Sequence, residues 1–285
     1  MRDVYRSCDK PALRAAIDRL CSPLDYVGFA SVGVYVFFDP SSHRTLYVGL
    51  ARDLSERFAQ HNSLIKMSDT GCKRLQIDGW FERNETLGYA AFVQSPLDQA
   101  SVHRQAGTSS AAFYDEESNV FWGYDPGGLD NVKRTEGILL SSHLNTHGRL
   151  PPWNKIKGAL HAPELATPGG YLLLEMAAGA VDSLLVARKS IRELAVDPTA
   201  LAFEEALHVG RLGAIEDTFG EGIDSLIIWN ALAQRANDRM YEGTGLREMA
   251  LRIESSGYLL LPPPPPGSAD TPGVWRLPGE RKPPG

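Results

Sequence analysis

Residues 33–62 read GVYVFFDPSSHRTLYVGLARDLSERFAQHN, and this stretch limits the possible folds more than any other. SVGVYVFF (31–38) is β-branched and aromatic, DPSSHR (39–44) has turn chemistry, and TLYVGL (45–50) is again strand-like, so together they predict a hairpin. Asp53 stands where an N-cap belongs, and LSERFAQH after it predicts a short helix ending near Asn62. Upstream, KPALRAAIDRLC (10–21) has apolar residues at helical spacing. Downstream, LGYAAFVQS (87–95) predicts a third strand. Packing alone does not call for either tyrosine hydroxyl in the hairpin, nor for an arginine and a histidine four residues apart.

The remainder divides by composition. Residues 96–130 are irregular and rich in turn formers and aromatics, which suggests an elaborated insertion. VKRTEGILLSSHLNTHG predicts a helix over 132–148 that stops at Gly148, and RLPPWNK is a rigid exit. LHAPELATPGG (160–170) reads as a domain boundary. Helical patterns follow at 177–195, about 200–216, 221–239 and 244–255, and then a Pro- and Gly-rich tail from 262. The expected organisation is a first domain over 1–160, a helical domain over 161–261 and a tail over 262–285.

Charge separates the two halves. The net charge is −6, yet residues 1–161 hold eighteen basic and eighteen acidic residues, leaving the whole excess to 162–285. The C-terminal part is therefore a poor surface for a polyanion and is expected to serve recognition, self-association or a protein partner. No run of eighteen apolar residues offers a membrane span, and MRDVYRSCDK lacks the apolar core of a secretory signal. Cys8, Cys21 and Cys72 show no paired spacing. Together these features give the expectation of a cytoplasmic chain with no membrane association, no disulfide framework and no structural zinc.

Tyr35 and Tyr47 fall on paired strands, Arg57 on the next helix and His61 one turn further along the same face. Phosphodiester hydrolysis needs a proton acceptor, a cation for the developing charge on phosphorus and stabilisation of the leaving oxygen. Tyrosine or histidine suits the first role, arginine the second and a metal ion the third. Glu136 in the later helix supplies the carboxylate missing from the hairpin, and Asn154 follows in PPWN.

These residues resemble the GIY-YIG nucleases. GVY (33–35) stands for GIY and YVG (47–49) for YIG; Arg57 lies ten residues after Tyr47 and His61 four after Arg57. EGILLSSHLNTHGRLPPWN looks like that family's metal-ligand helix and following asparagine. The resemblance covers roughly 31–155. It implies an α/β (α+β) core with a three-stranded antiparallel sheet flanked by helices, and one Mg²⁺ or Mn²⁺ held by Glu136. It further implies an endonuclease acting on nucleic acid, DNA before RNA, in settings such as restriction or phage defence. The implied roles are Tyr35 or His61 as general base, Arg57 on the scissile phosphate, Tyr47 orienting water or phosphate, and Asn154 bonding within the site. One departure is the long gap from His61 to Glu136.

Plainer readings stand beside these. The tyrosines are common strand residues, Arg57 would pair with Asp53, and His61 and Glu136 would answer helix dipoles. Arg52, Lys133 and Arg134 are either phosphate contacts or solvated charges. His43 would be exposed in its turn. His143 and His147 have metal-ligand spacing but no evident third ligand. Phe113, Tyr114, Phe121, Trp122 and Tyr124 would pack the insertion or stack bases. A degenerate binding module, or an effector subunit targeted by a partner, are the alternative functions.

Overall fold

The structure, a computed structural model, describes residues 1–20, 32–66, 73–93, 113–115, 120–122, 128–155, 163–218, 225–238, 243 and 245–259. It divides into two compact units, Met1–Val196 and Asp197–Gly285.

The first unit is built on an antiparallel sheet of four strands, not the expected three. β1 (Arg2–Arg6), β2 (Gly33–Phe38), β3 (Thr45–Ala51) and β4 (Thr86–Val93) lie in the order β1-β4-β2-β3. The extra strand is the N-terminus itself, which pairs with β4 from Arg2 against Ala90 to Arg6 against Thr86. β2 and β3 form the expected hairpin, with Tyr35 opposite Gly49.

Alternation along β2 sends its side chains into two different cores. Val34, Val36 and Phe38, with Val48 and Ala90, meet Val132, Leu139 and Leu140 of α4 (Gly128–His147) and Leu174, Ala177 and Ala178 of α5 (Pro168–Ala178). On the other face Tyr35, Phe37, Tyr47 and Tyr89 form an aromatic layer against α2 (Leu54–His61). α1 (Lys10–Leu20), α3 (Arg74–Phe81) and the short α6 (Ile191–Val196) complete this unit. Within the 96–130 region, β5 (Phe113–Asp115) and β6 (Val120–Trp122) pair as a two-stranded ribbon.

Because α5 covers one face of the sheet, the division falls after Val196 rather than at 160–170. The pattern at 177–195 is not one helix: Gly179 takes a left-handed φ of 79° and closes α5 at Ala178. α4 begins four residues ahead of the expected helix. Glu136 consequently sits more than two turns inside it, too deep for the dipole explanation of its charge.

The second unit is helical: α7 (Pro198–Thr218), α8 (Ser225–Ala236) and α9 (Leu246–Ser256). α7 and α8 pack closely at Gly210, where an added Cβ would stand 2.7 Å from the Ile228 carbonyl oxygen. Arg211 and the fully buried Glu204 form an ion pair of 2.6 Å, and the Tyr258 hydroxyl donates to the second Glu204 oxygen. Each buried charge is thus answered, as burial requires. Among the described residues no helix is long and apolar enough to cross a membrane. The 262–285 tail lies outside the described residues.

Candidate active site

The hairpin brings the two tyrosines together because Gly49 has no side chain. A Cβ there would stand 2.7 Å from the Tyr35 hydroxyl oxygen and 2.7 Å from Tyr47 Cε1. The bare position lets the Tyr35 ring fold across β3, with its centroid 5.8 Å from that of Tyr47.

α2 then delivers His61 and Arg57. Asp53 caps this helix by accepting from the Glu56 N–H at 2.8 Å, as the sequence suggests. Its side chain is therefore not the partner of Arg57. Gln60 fills that place instead, accepting from Arg57 Nη1 at 3.0 Å while donating to Glu56. His61 is wholly buried, and its Nε2 lies 2.6 Å from the Tyr35 hydroxyl oxygen.

Hydrogen-bond geometry fixes the histidine tautomer. The Lys73 backbone N–H donates to Nδ1 at 3.0 Å, so Nδ1 carries the lone pair and neutral His61 holds its proton on Nε2. His61 therefore donates to Tyr35. That leaves the Tyr35 proton for Tyr47, its other hydrogen-bond partner. A directed chain runs from the Lys73 amide through His61 and Tyr35 to Tyr47.

Burial sets the charge states along this chain. It depresses the His61 pKa to about 3, assisted by Arg57 and Lys73, and so keeps the ring neutral. It also lifts Tyr35 well above its ordinary value, outweighing the opposing effect of Arg57. Tyr47 is raised by burial and by Glu136, while the hydrogen bond from Tyr35 and the charge of Arg57 pull the other way.

Glu136 approaches from α4 along the open edge of β3. The Leu50 N–H donates to its carboxylate, but burial dominates and raises its pKa to about 7. Asn154 lies two positions back on the same edge. Its Oδ1 accepts from the Val48 N–H at 2.9 Å and its Nδ2 donates to the Val48 carbonyl at 2.7 Å. Trp153 N–H donates to the Leu46 carbonyl at 2.9 Å. The three outward-facing positions 46, 48 and 50 are thus each engaged by a residue from α4 or the segment after it. Both polar groups of the Asn154 amide are committed to the strand backbone, so it holds this segment in place.

Tyr35, Tyr47, Arg57, His61 and Glu136 therefore lie in one neighbourhood, in two tiers. Tyr35 and His61 are buried behind, whereas Tyr47, Arg57 and Glu136 retain partial exposure. Arg52, Lys133 and Arg134 are exposed. Lys73 belongs to the site and carries no sequence signal. It is 7% exposed, and its ammonium stands 4.7 Å from the centre of the Tyr47 ring, a cation–π contact. The His143 and His147 rings lie 4.6 Å apart, tilted by 49°, but His143 donates from Nδ1 to the Arg149 carbonyl and His147 bonds the Tyr171 hydroxyl. Among the described residues no group of three or more His, Cys, Asp and Glu side chains gathers to bind a metal. The aromatic side chains of 113–124 lie outside the described residues.

Comparison with protein-family models, curated proteins and solved structures finds no match.

Proposed function

We propose that the chain is a GIY-YIG-type endonuclease that hydrolyses phosphodiester bonds in nucleic acid, DNA in the first instance. The observation that carries this reading is the meeting of two phenols, a guanidinium and a partly buried carboxylate beside the edge of β3. Their separation in sequence, from Tyr35 to Glu136, makes a packing explanation of the set weak.

The roles divide by tier. His61 is not the base, since its one lone pair accepts from a backbone amide. Tyr35 keeps its proton, because burial raises its pKa. It therefore serves as a donor, and the proton acceptor for the attacking water is Tyr47, the more exposed phenol, whose pKa burial and Glu136 also raise and Tyr35 and Arg57 pull back only in part. Arg57 is oriented by Gln60 to hold two phosphoryl oxygens with its planar fork. Lys73 adds positive charge beside Tyr47.

Glu136 suits a hard divalent cation. Its carboxylate is largely screened from water and raised in pKa, a state that a bound Mg²⁺ or Mn²⁺ would relieve. Such an ion supplies charge neutralisation at the leaving oxygen.

The test is cleavage of single- and double-stranded DNA and RNA with Mg²⁺, with Mn²⁺ and with EDTA. Tyr47→Phe should lower turnover at least a hundredfold at unchanged fold. Metal-independent cleavage, or full activity in that variant, would refute the scheme.

A further inference from the structure

We propose that Trp153 and Trp80 form a stacking shelf for an unpaired DNA base next to the scissile phosphate, so that the preferred substrate is single-stranded or locally opened. The inference rests on the nuclease reading of the Tyr47–Arg57 site and names the form of nucleic acid that this site takes.

The two indoles come from different elements and meet edge to face, with ring centroids 6.0 Å apart and planes at 77°. Trp80 lies near the end of α3, where its Nε1–H donates to the Thr86 carbonyl at 2.9 Å, which fixes its ring at the start of β4. Trp153 is held instead through its backbone, whose N–H donates to the Leu46 carbonyl on the outer edge of β3. Its indole N–H makes no hydrogen bond among the described residues and is open to solvent. Buried tryptophans usually find a partner for that donor. Both tryptophans are half-buried, so packing accounts for one side of the shelf and leaves the other bare.

Two connections join the shelf to the proposed chemistry. The fully buried Phe37 stands 6.2 Å from Trp153 and 6.4 Å from Tyr47 between ring centroids, so a single ring separates the shelf from the phenol. α3 makes the second connection. It starts directly after Lys73, whose ammonium lies 4.7 Å from the Tyr47 ring, and carries Trp80 near its far end. Charge decides which part of a nucleotide the shelf takes. Glu82 and Glu85 are exposed just beyond Trp80, which makes that end of α3 a poor surface for phosphate. Lys155, exposed two residues after Trp153, suits the backbone instead. The shelf is therefore assigned to a base. In a duplex each base face is covered by its neighbours, whereas an unpaired base presents a π face that tryptophan can stack upon.

The test is fluorescence anisotropy of the full chain in EDTA with one labelled deoxyoligonucleotide in three forms. These are the single strand, the same strand annealed to its complement, and an abasic strand of equal length that keeps the phosphates and lacks the bases. The single strand should bind about fivefold tighter, or more, than either of the others. Trp153→Leu and Trp153→Phe both shorten the side chain and leave an apolar group against Phe37, so comparing them isolates the ring face. The leucine variant should lose the single-strand advantage, the phenylalanine variant should keep most of it, and the two should bind the abasic strand alike. Equal affinity of the parent for the single strand and either other form would overturn the proposal. So would equal single-strand affinity of the two variants, or no binding of any form. Single-strand preference through Trp153 in a protein that never cleaves would keep the shelf and remove the nuclease reading. Tyr47-dependent cleavage without that preference would do the reverse.

Discussion

Glu136 carries two opposed demands. Its carboxyl has an ordinary pKa of 4.5 and a folded value of about 7. Between those values the native protein retains a proton that the unfolded chain has released, so stability falls as pH rises through the window. At about 1.4 kcal/mol per unit, discounted for partial exposure, the loss is roughly 2 kcal/mol. Glu136→Gln keeps an acceptor for the Leu50 N–H and removes the titration. Its melting temperature should exceed that of the parent at pH 8 and match it near pH 5 in EDTA, while metal-dependent cleavage disappears. Arg57 makes a different point. Arg57→Lys should lower turnover nearly as far as Arg57→Ala, because lysine keeps the charge and loses the fork that Gln60 orients. Near-normal cleavage by the lysine variant would reduce Arg57 to a source of positive potential. These residues were legible because each bears a reactive group at a recognisable spacing. Lys73 was not, since its contribution comes from a backbone amide and from burial, and neither leaves a mark in the order of residues. The proton direction through His61 was hidden for the same reason.

At the scale of elements, the hairpin and α2 could be read directly, because strand composition, turn residues and an aspartate cap agree with one another. β1 was missed: RDVYR is short, shows no alternation of charged and bulky residues, and becomes a strand through pairing with β4. The single helix expected over 177–195 overlooked the left-handed Gly179, whose role depends on a backbone angle. Asn154 shows how an element is held by a side chain. Asn154→Ala would leave the Val48 N–H and carbonyl without their present partners, a destabilisation of about 1–3 kcal/mol. Amide exchange should accelerate at Val48, and cleavage should fall with it because Glu136 is anchored on the same strand edge. An unchanged exchange rate at Val48 would show that solvent replaces the asparagine without loss.

For the whole molecule, the decisive element is α5. A chain ending at residue 160 lacks Leu174, Ala177 and Ala178, which cover the sheet face formed by Val34, Val36 and Phe38. That fragment should be insoluble or lack a cooperative melting transition. A chain ending at Val196 should fold and contain every residue of the proposed site; calorimetry on the two fragments is the comparison. Residues 197–285 hold eight basic and thirteen acidic residues, so their loss should not weaken nucleic-acid binding. Weaker binding by the 1–196 fragment would locate part of the substrate contact in the helical unit.

The sealing of β3 has a consequence for coexistence with other copies of the same chain. A bare outer strand is a template on which a neighbouring polypeptide can lay down another strand, and proteins commonly blunt such borders with charge or bulk. Here the blunting is done at Leu46, Val48 and Leu50 by Trp153, Asn154 and Glu136. The same residues that border the proposed chemistry thus close this edge of the sheet to a further strand. Selection for solubility and selection for catalysis would then act on a shared set of positions, and loss of either function would be difficult to evolve alone.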